Sequence, residues 1–198
     1  MTTALLLSGG MDSVSIAWWL RPDVALTIDY GQKPAEAEID AAGHVAQLLG
    51  ISHEVIRVDC SSLGSGDMAG TAPDAAAPVS EWWPFRNQLL VTLAGMAAVR
   101  RGVSRLLIGA LATDGAHADG RPEFVERASR LMAMQEGGIV VEAPAIELDA
   151  VELVRRSGID QGTLAWAHSC HTGNYACGRC RGCTKHFNTW QALGWTPH

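Results

Sequence analysis

Short continuous apolar runs alternate with longer stretches whose apolar residues recur every three to four positions. Ala4-Leu5-Leu6-Leu7 predicts a buried strand over 3–7. An apolar helix follows over 12–20 and is broken by Arg21-Pro22. A second strand is predicted over 24–29. Pro34 suits the first turn of the next helix, where Ala35, Ile39, Ala42, Val45, Ala46 and Leu49 share one face until Gly50. Residues 54–58 read as a third strand. Residues 60–83 then lose all periodicity and hold many Ser, Gly and Pro, the pattern of a lid, a binding loop or a disordered stretch. Periodicity returns in a helix over 86–100, a strand over 106–109, a helix over 121–136, a strand over 139–141 and a short helix over 148–156.

Strands alternating with helices predict an α/β fold, a doubly wound, parallel five-stranded sheet in a single domain, 1–198. In such sheets ligands bind beyond the carboxyl ends of the strands. Residues 8–13, 30–32 and 59–60 all fall at those ends.

The first of these loops, Ser8-Gly9-Gly10-Met11-Asp12-Ser13, joins a strand to a helix. Glycines let the backbone approach an anion, and the helix start offers N–H groups and a favourable dipole. A Gly-Gly turn with an Asp or Ser cap is the plain alternative. The loop lacks the lysine of a Walker sequence, which disfavours chemistry at the β- and γ-phosphates. Cleavage of ATP between its α- and β-phosphates fits better. Leu7, Ser8, Gly9, Gly10, Met11, Asp12 and Ser13 are the expected nucleotide-binding residues, with Tyr30 and Gln32.

Charge and composition narrow the partners. A net charge of −6 argues against a broad nucleic-acid footprint. No apolar run reaches the ~18 residues of a membrane span, and no signal peptide opens the chain, so a cytoplasmic location is expected. Four of the five cysteines fall together as Cys170, Cys177, Cys180 and Cys183. Four thiolates at this spacing suit a tetrahedral structural Zn²⁺ within an element over 166–187, with Arg179, Arg181 and Lys185 offsetting its charge. The two-residue gaps also match iron–sulfur runs, although no Cys-Pro follows. His168, His171 and His186 flank the cluster as surface or supporting groups. Cys60 reads as a small buried hydrophobe.

The order of motifs resembles the 7-cyano-7-deazaguanine synthase (QueC-type) family. The matching pieces are Leu6 through Ser13, then Asp29-Tyr30-Gly31-Gln32 with Glu36 and Glu38, and Pro84-Phe85-Arg86-Asn87. Ile108-Gly109 with Asp114, Asp119-Gly120-Arg121-Pro122-Glu123-Phe124, Ala143-Pro144, Ser169-Cys170 and the three later cysteines complete the series. The resemblance implies an adenine-nucleotide α-hydrolase-like, pyrophosphate-loop fold, usually in a homodimer. It implies a ligase that uses ATP, Mg²⁺ and ammonia on a 7-deazapurine carboxylate, with a structural zinc. Asp12, Ser13, Arg86, Asp119 and Arg121 are the expected catalytic residues. Arg86 and Arg121 would meet carboxylate or phosphate, Asp119 a guanine-like amine, and Asp12 or Asp114 the magnesium. Each has a plain alternative as a helix-capping or turn residue.

The family pattern is broken at four places. Gly120 stands for a usual cysteine, His117-Ala118 for Tyr-Pro, Asp149 for lysine, and Ala167-His168 for Thr-Trp. The adenylating half is therefore intact and the substrate half altered. That leaves three alternatives: a diverged ligase joining the carboxylate to ammonia, a protein or another amine; a tRNA-modifying pyrophosphate-loop enzyme; and a non-catalytic nucleotide binder.

Overall fold

The computed structural model describes residues 1–196; residues 197 and 198 of the expected domain lie outside the described residues. Five strands, β1 (Thr2–Leu6), β2 (Val24–Asp29), β3 (Ser52–Arg57), β4 (Val103–Leu107) and β5 (Val140–Glu142), form one sheet in the order β3-β2-β1-β4-β5. Every pairing is parallel, with Leu5 opposite Ala25 on one side and Leu107 on the other. The topological reversal falls between β1 and β4, where a crevice opens in doubly wound sheets.

Alternate residues of the central strands feed two cores. Leu5, Leu7, Ala25 and Leu107 pack under α1 (Met11–Leu20), α2 (Ala35–Leu49) and α6 (Ala150–Ser157). Ala4, Leu26, Ile28 and Leu106 pack under α4 (Arg86–Arg100) and α5 (Pro122–Ala133). Both faces of the sheet's centre are covered, which is why the end of β1 reads as an apolar run and β2, up to Ile28, as one interrupted only by Thr27.

The segment over 60–83 is folded rather than structureless. It contains a short helix, α3 (Gly66–Ala69), and sends Met68 and Trp83 into the second core. Two further helices, α7 (Gln161–Leu164) and α8 (Arg181–Ala192), follow in the last forty residues. No helix among the described residues is long and apolar enough to cross a membrane.

Candidate active site

A cleft of about 590 Å³ opens over the carboxyl ends of β1 and β4. Its floor is the loop between β1 and α1. Gly9 has φ +74°, and a Cβ there would lie 2.4 Å from the Glu38 carbonyl oxygen, so α2 packs directly against the loop backbone. Gly10 caps α1 without any side-chain hydrogen bond, which leaves the first-turn N–H groups unclaimed by a capping side chain. Ser13 Oγ donates to the Gly10 carbonyl at 2.9 Å and lies 3.1 Å from Ser8 Oγ. The His168 N–H donates to the Gly9 carbonyl at 2.9 Å and so ties the C-terminal segment to the loop.

Asp12 projects from this loop toward Lys185. The lysine Nζ is 2.7 Å from Asp12 Oδ2 and 3.8 Å from Asp114 Oδ1. Burial raises the Asp12 carboxyl, Lys185 opposes that, and Asp114 adds to it. Burial disfavours the Lys185 ammonium, but the two aspartates outweigh it and hold its pKa above the usual lysine value. Asp12 Oδ1 is buried with no hydrogen-bond partner. Lys185 was expected to offset thiolate charge; it pairs with Asp12, just after the β1–α1 loop, instead. Arg181, expected in the same role, donates to the buried Glu81 at 2.6 Å. His117 Nε2 lies 3.5 Å from the same Glu81 oxygen. Burial works to raise the Glu81 carboxyl, but hydrogen bonds from His117 and Arg181 leave it at about 2. Glu81 thereby joins three segments at the cleft wall.

Arg86 enters the cleft from the start of α4. Phe85, in the left-handed region at φ +54°, turns the chain into that helix. The guanidinium donates to Met68 Sδ at 3.1 Å, and no carboxylate forms an ion pair with it among the described residues. Tyr30 is buried beside it, with its ring edge-on to Trp83 at 4.8 Å. Burial raises the Tyr30 hydroxyl, against the effect of Arg86. Burial also lifts Glu38 to about 7, opposed by a hydrogen bond from Gln32 and by Arg86.

Other expected site residues have different duties in this structure. Gln32 is absent from the cleft wall: its Oε1 accepts from the Tyr30 N–H at 2.8 Å, and its Nε2 donates to Ile28 O and Glu38 Oε2. Leu7 lies wholly in the core. Asp119 caps α4, with Oδ2 accepting from the Asn87 N–H at 2.9 Å and its carbonyl accepting from Asn87 Nδ2 at 2.8 Å. Arg121 donates from Nε to the Gly115 carbonyl and is exposed. Neither Asp119 nor Arg121 lines the cleft. A Cβ on Gly120 would lie 2.8 Å from the Asp114 carbonyl oxygen, so the turn closes on a position without a side chain.

The sulfur atoms of Cys170, Cys177, Cys180 and Cys183 all lie within 4.8 Å of one another. Backbone N–H groups donate to them, from Cys180 to Cys177 Sγ at 3.3 Å and from His171 and Cys183 to Cys180 Sγ at 3.4 Å. Such bonds favour thiolates, against burial, which still pushes Cys180 up and Cys183 up to about 12. Cys177 is held at about 6, chiefly by Thr172 and by the N–H groups of Arg179 and Cys180. Cys180 is also the N-cap of α8. From that anchor α8 turns Arg181, Lys185 and Asn188 to the cleft and buries His186 and Trp190 behind it. His168 and His171, expected to be supporting or surface groups, line the cleft as well.

A family model for queuosine biosynthesis protein QueC matches residues 2–194. The 7-cyano-7-deazaguanine synthase of Methanosarcina barkeri is 30% identical over 98% of this chain and 95% of its own. That of Xanthomonas axonopodis pv. citri is 34% identical over 90% and 88%. Among solved structures, U34-tRNA thiolase NcsA from Methanococcus maripaludis, with its 4Fe-4S cluster, has a TM-score of 0.53 at 14% identity, over 97% of this chain and 66% of that one. It shares the fold. The match along almost the whole chain and relatives at 30% and 34% identity place the chain in the QueC family.

Proposed function

We propose that the protein converts 7-carboxy-7-deazaguanine to 7-cyano-7-deazaguanine with ATP and ammonia. The observation that carries this reading is the uncapped start of α1 facing a cleft that also holds Asp12, Lys185 and Arg86. A carboxylate is a poor electrophile. Its oxygen attacks the α-phosphorus of ATP, and pyrophosphate leaves from the loop. Ammonia displaces AMP from the acyl-adenylate to give an amide. Adenylation of the amide oxygen by a second ATP, then loss of a proton and AMP, gives the nitrile. The residues contribute positioning and charge neutralisation. The N–H groups of α1 hold phosphate oxygens, and Arg86 holds an anionic group of the substrate or nucleotide bidentately.

Asp12 and Asp114 would hold Mg²⁺, and the unpartnered Asp12 Oδ1 fits that duty. Mg²⁺ there would neutralise phosphate charge. For the four cysteines we propose zinc. A single tetrahedral ion sets thiolate sulfurs about 3.8 Å apart, close to the 4.0 Å between Cys177 and Cys183. An iron–sulfur cluster places each thiolate on its own iron and spreads them further.

A second reading keeps the adenylation and stops at an amide with ammonia, a protein or another amine. It is favoured by Asp119 and Arg121 facing away from the cleft and by the side-chain-free turn at Gly120. The test is incubation with 7-carboxy-7-deazaguanine, ATP, Mg²⁺ and ammonium, followed by mass spectrometry. A nitrile product is expected. An amide or conjugate selects the second reading, and absence of AMP overturns both. Sedimentation tests the homodimer that the family resemblance implies.

A further inference from the structure

The loop that would bind triphosphate carries no lysine, yet a lysine stands in its cleft. We propose that Lys185 is the phosphate-binding lysine of this site, supplied by α8, and that before nucleotide arrives it occupies the place between Asp12 and Asp114 that Mg²⁺–ATP takes over. The inference rests on the ATP reading above.

Three observations point this way. First, Lys185 meets both aspartates, at 2.7 and 3.8 Å, and so offsets two like charges that face each other at the mouth of the loop. Second, the pairing is incomplete, because Asp12 Oδ1 stays buried without a partner. An ammonium satisfies one oxygen where a multivalent cation would engage more. Third, the other cations of the cleft are placed elsewhere: Arg181 is held by Glu81, and Arg86 lies with Met68, Tyr30 and Glu38. Lys185 is also about a third exposed along its side chain. A point charge on a flexible four-carbon stem can change partners within one cleft, as a planar guanidinium locked in a fork cannot. Its Cα lies about one and a half turns beyond Cys180, on a helix anchored at the cysteine cluster. Arrival of Mg²⁺ and triphosphate gives the aspartates a stronger cation and the ammonium a stronger anion at the same moment.

The test is equilibrium binding of α,β-methylene-ATP with Mg²⁺, and of AMP, to metal-loaded full-length protein. Lys185→Met is expected to weaken the triphosphate analogue about ten-fold or more and AMP by less than about three-fold, since AMP lacks the β- and γ-phosphates. Equal loss for both ligands, or no loss, overturns the inference. Mg²⁺ without nucleotide is expected to raise the melting temperature of Lys185→Met and not that of wild type; an equal response overturns the exchange of places. Should Lys185→Met fail to fold, Lys185→Gln, which keeps a hydrogen bond to Asp12 but no charge, is read in the same way. Wild-type protein that binds neither nucleotide overturns the ATP reading itself, whereas a variant that binds like wild type overturns only the role of Lys185.

Discussion

Replacing Gly9 by alanine tests whether α2 and the loop between β1 and α1 are packed as closely as the structure has them. Two costs add. At φ +74° an L side chain sits in the left-handed region, which costs about 1–2 kcal/mol. The new Cβ would also stand 2.4 Å from the Glu38 carbonyl oxygen, 3.0 Å from Ala41 Cβ and 3.2 Å from the Ala42 nitrogen. All three belong to α2 and none is a flexible tip, so the helix or the loop must move, for about 1–3 kcal/mol more. The sum is about 2–5 kcal/mol, or roughly 4–20 °C in melting temperature for a chain of this length. Gly50→Ala is the control. It has a similar φ of +68° but nothing within 4 Å of the added carbon, so it carries only the backbone cost. Thermal and urea melts of both variants, read against wild type, isolate the steric part. A Gly9→Ala protein that melts with Gly50→Ala would refute the close approach of α2 to the loop.

Glu38→Gln should change the pH dependence of stability. The folded pKa is raised to about 7 from an ordinary 4.5, so wild type keeps the full contribution below about pH 4.5 and loses it as pH rises through about 7. The variant should therefore gain on wild type across that window; a constant difference in melting temperature would contradict the burial of Glu38. Cys180→Ser removes one of the four sulfurs while leaving a hydroxyl able to cap α8, so it isolates the loss of a metal ligand. Metal content by elemental analysis and melting temperature should both fall, and nucleotide binding with them, because Lys185 lies on that helix. Wild-type melting without metal would show that the cluster does not hold the fold.

The centre of the sheet was legible because both of its faces are covered, so Ala4-Leu5-Leu6-Leu7 reads as an unbroken apolar run and 24–28 as one interrupted only by Thr27. The loop over 8–13 was legible because its chemistry is local. What stayed hidden depends on the tertiary partner. Gln32 and Asp119 look like ligand residues in sequence, but their polar atoms are used by the Tyr30 turn and by the start of α4. Glu81 is one acid in a segment without periodicity, and only the fold brings Arg181 and His117 to it. Lys185 was read with the cysteines because it follows Cys183 by two positions. The helix that carries it begins among Cys and Gly and has few apolar residues, so no periodic signal marked it. The tie between Cys180 as cap and Lys185 as site residue emerges only from α8 itself.

The ion pair between Asp12 and Lys185 joins residues 173 positions apart. During synthesis the loop leaves the ribosome 173 residues ahead of its lysine. Parallel sheets with distant pairings fold slowly, and contacts this remote form late. A nascent chain can thus hold β1, α1 and β2 in native order and still lack the cation that completes the cleft. Lys185 ties the assembly of the site to the synthesis of α8, so a nascent chain that stops short of α8 would carry the loop without its charge partner.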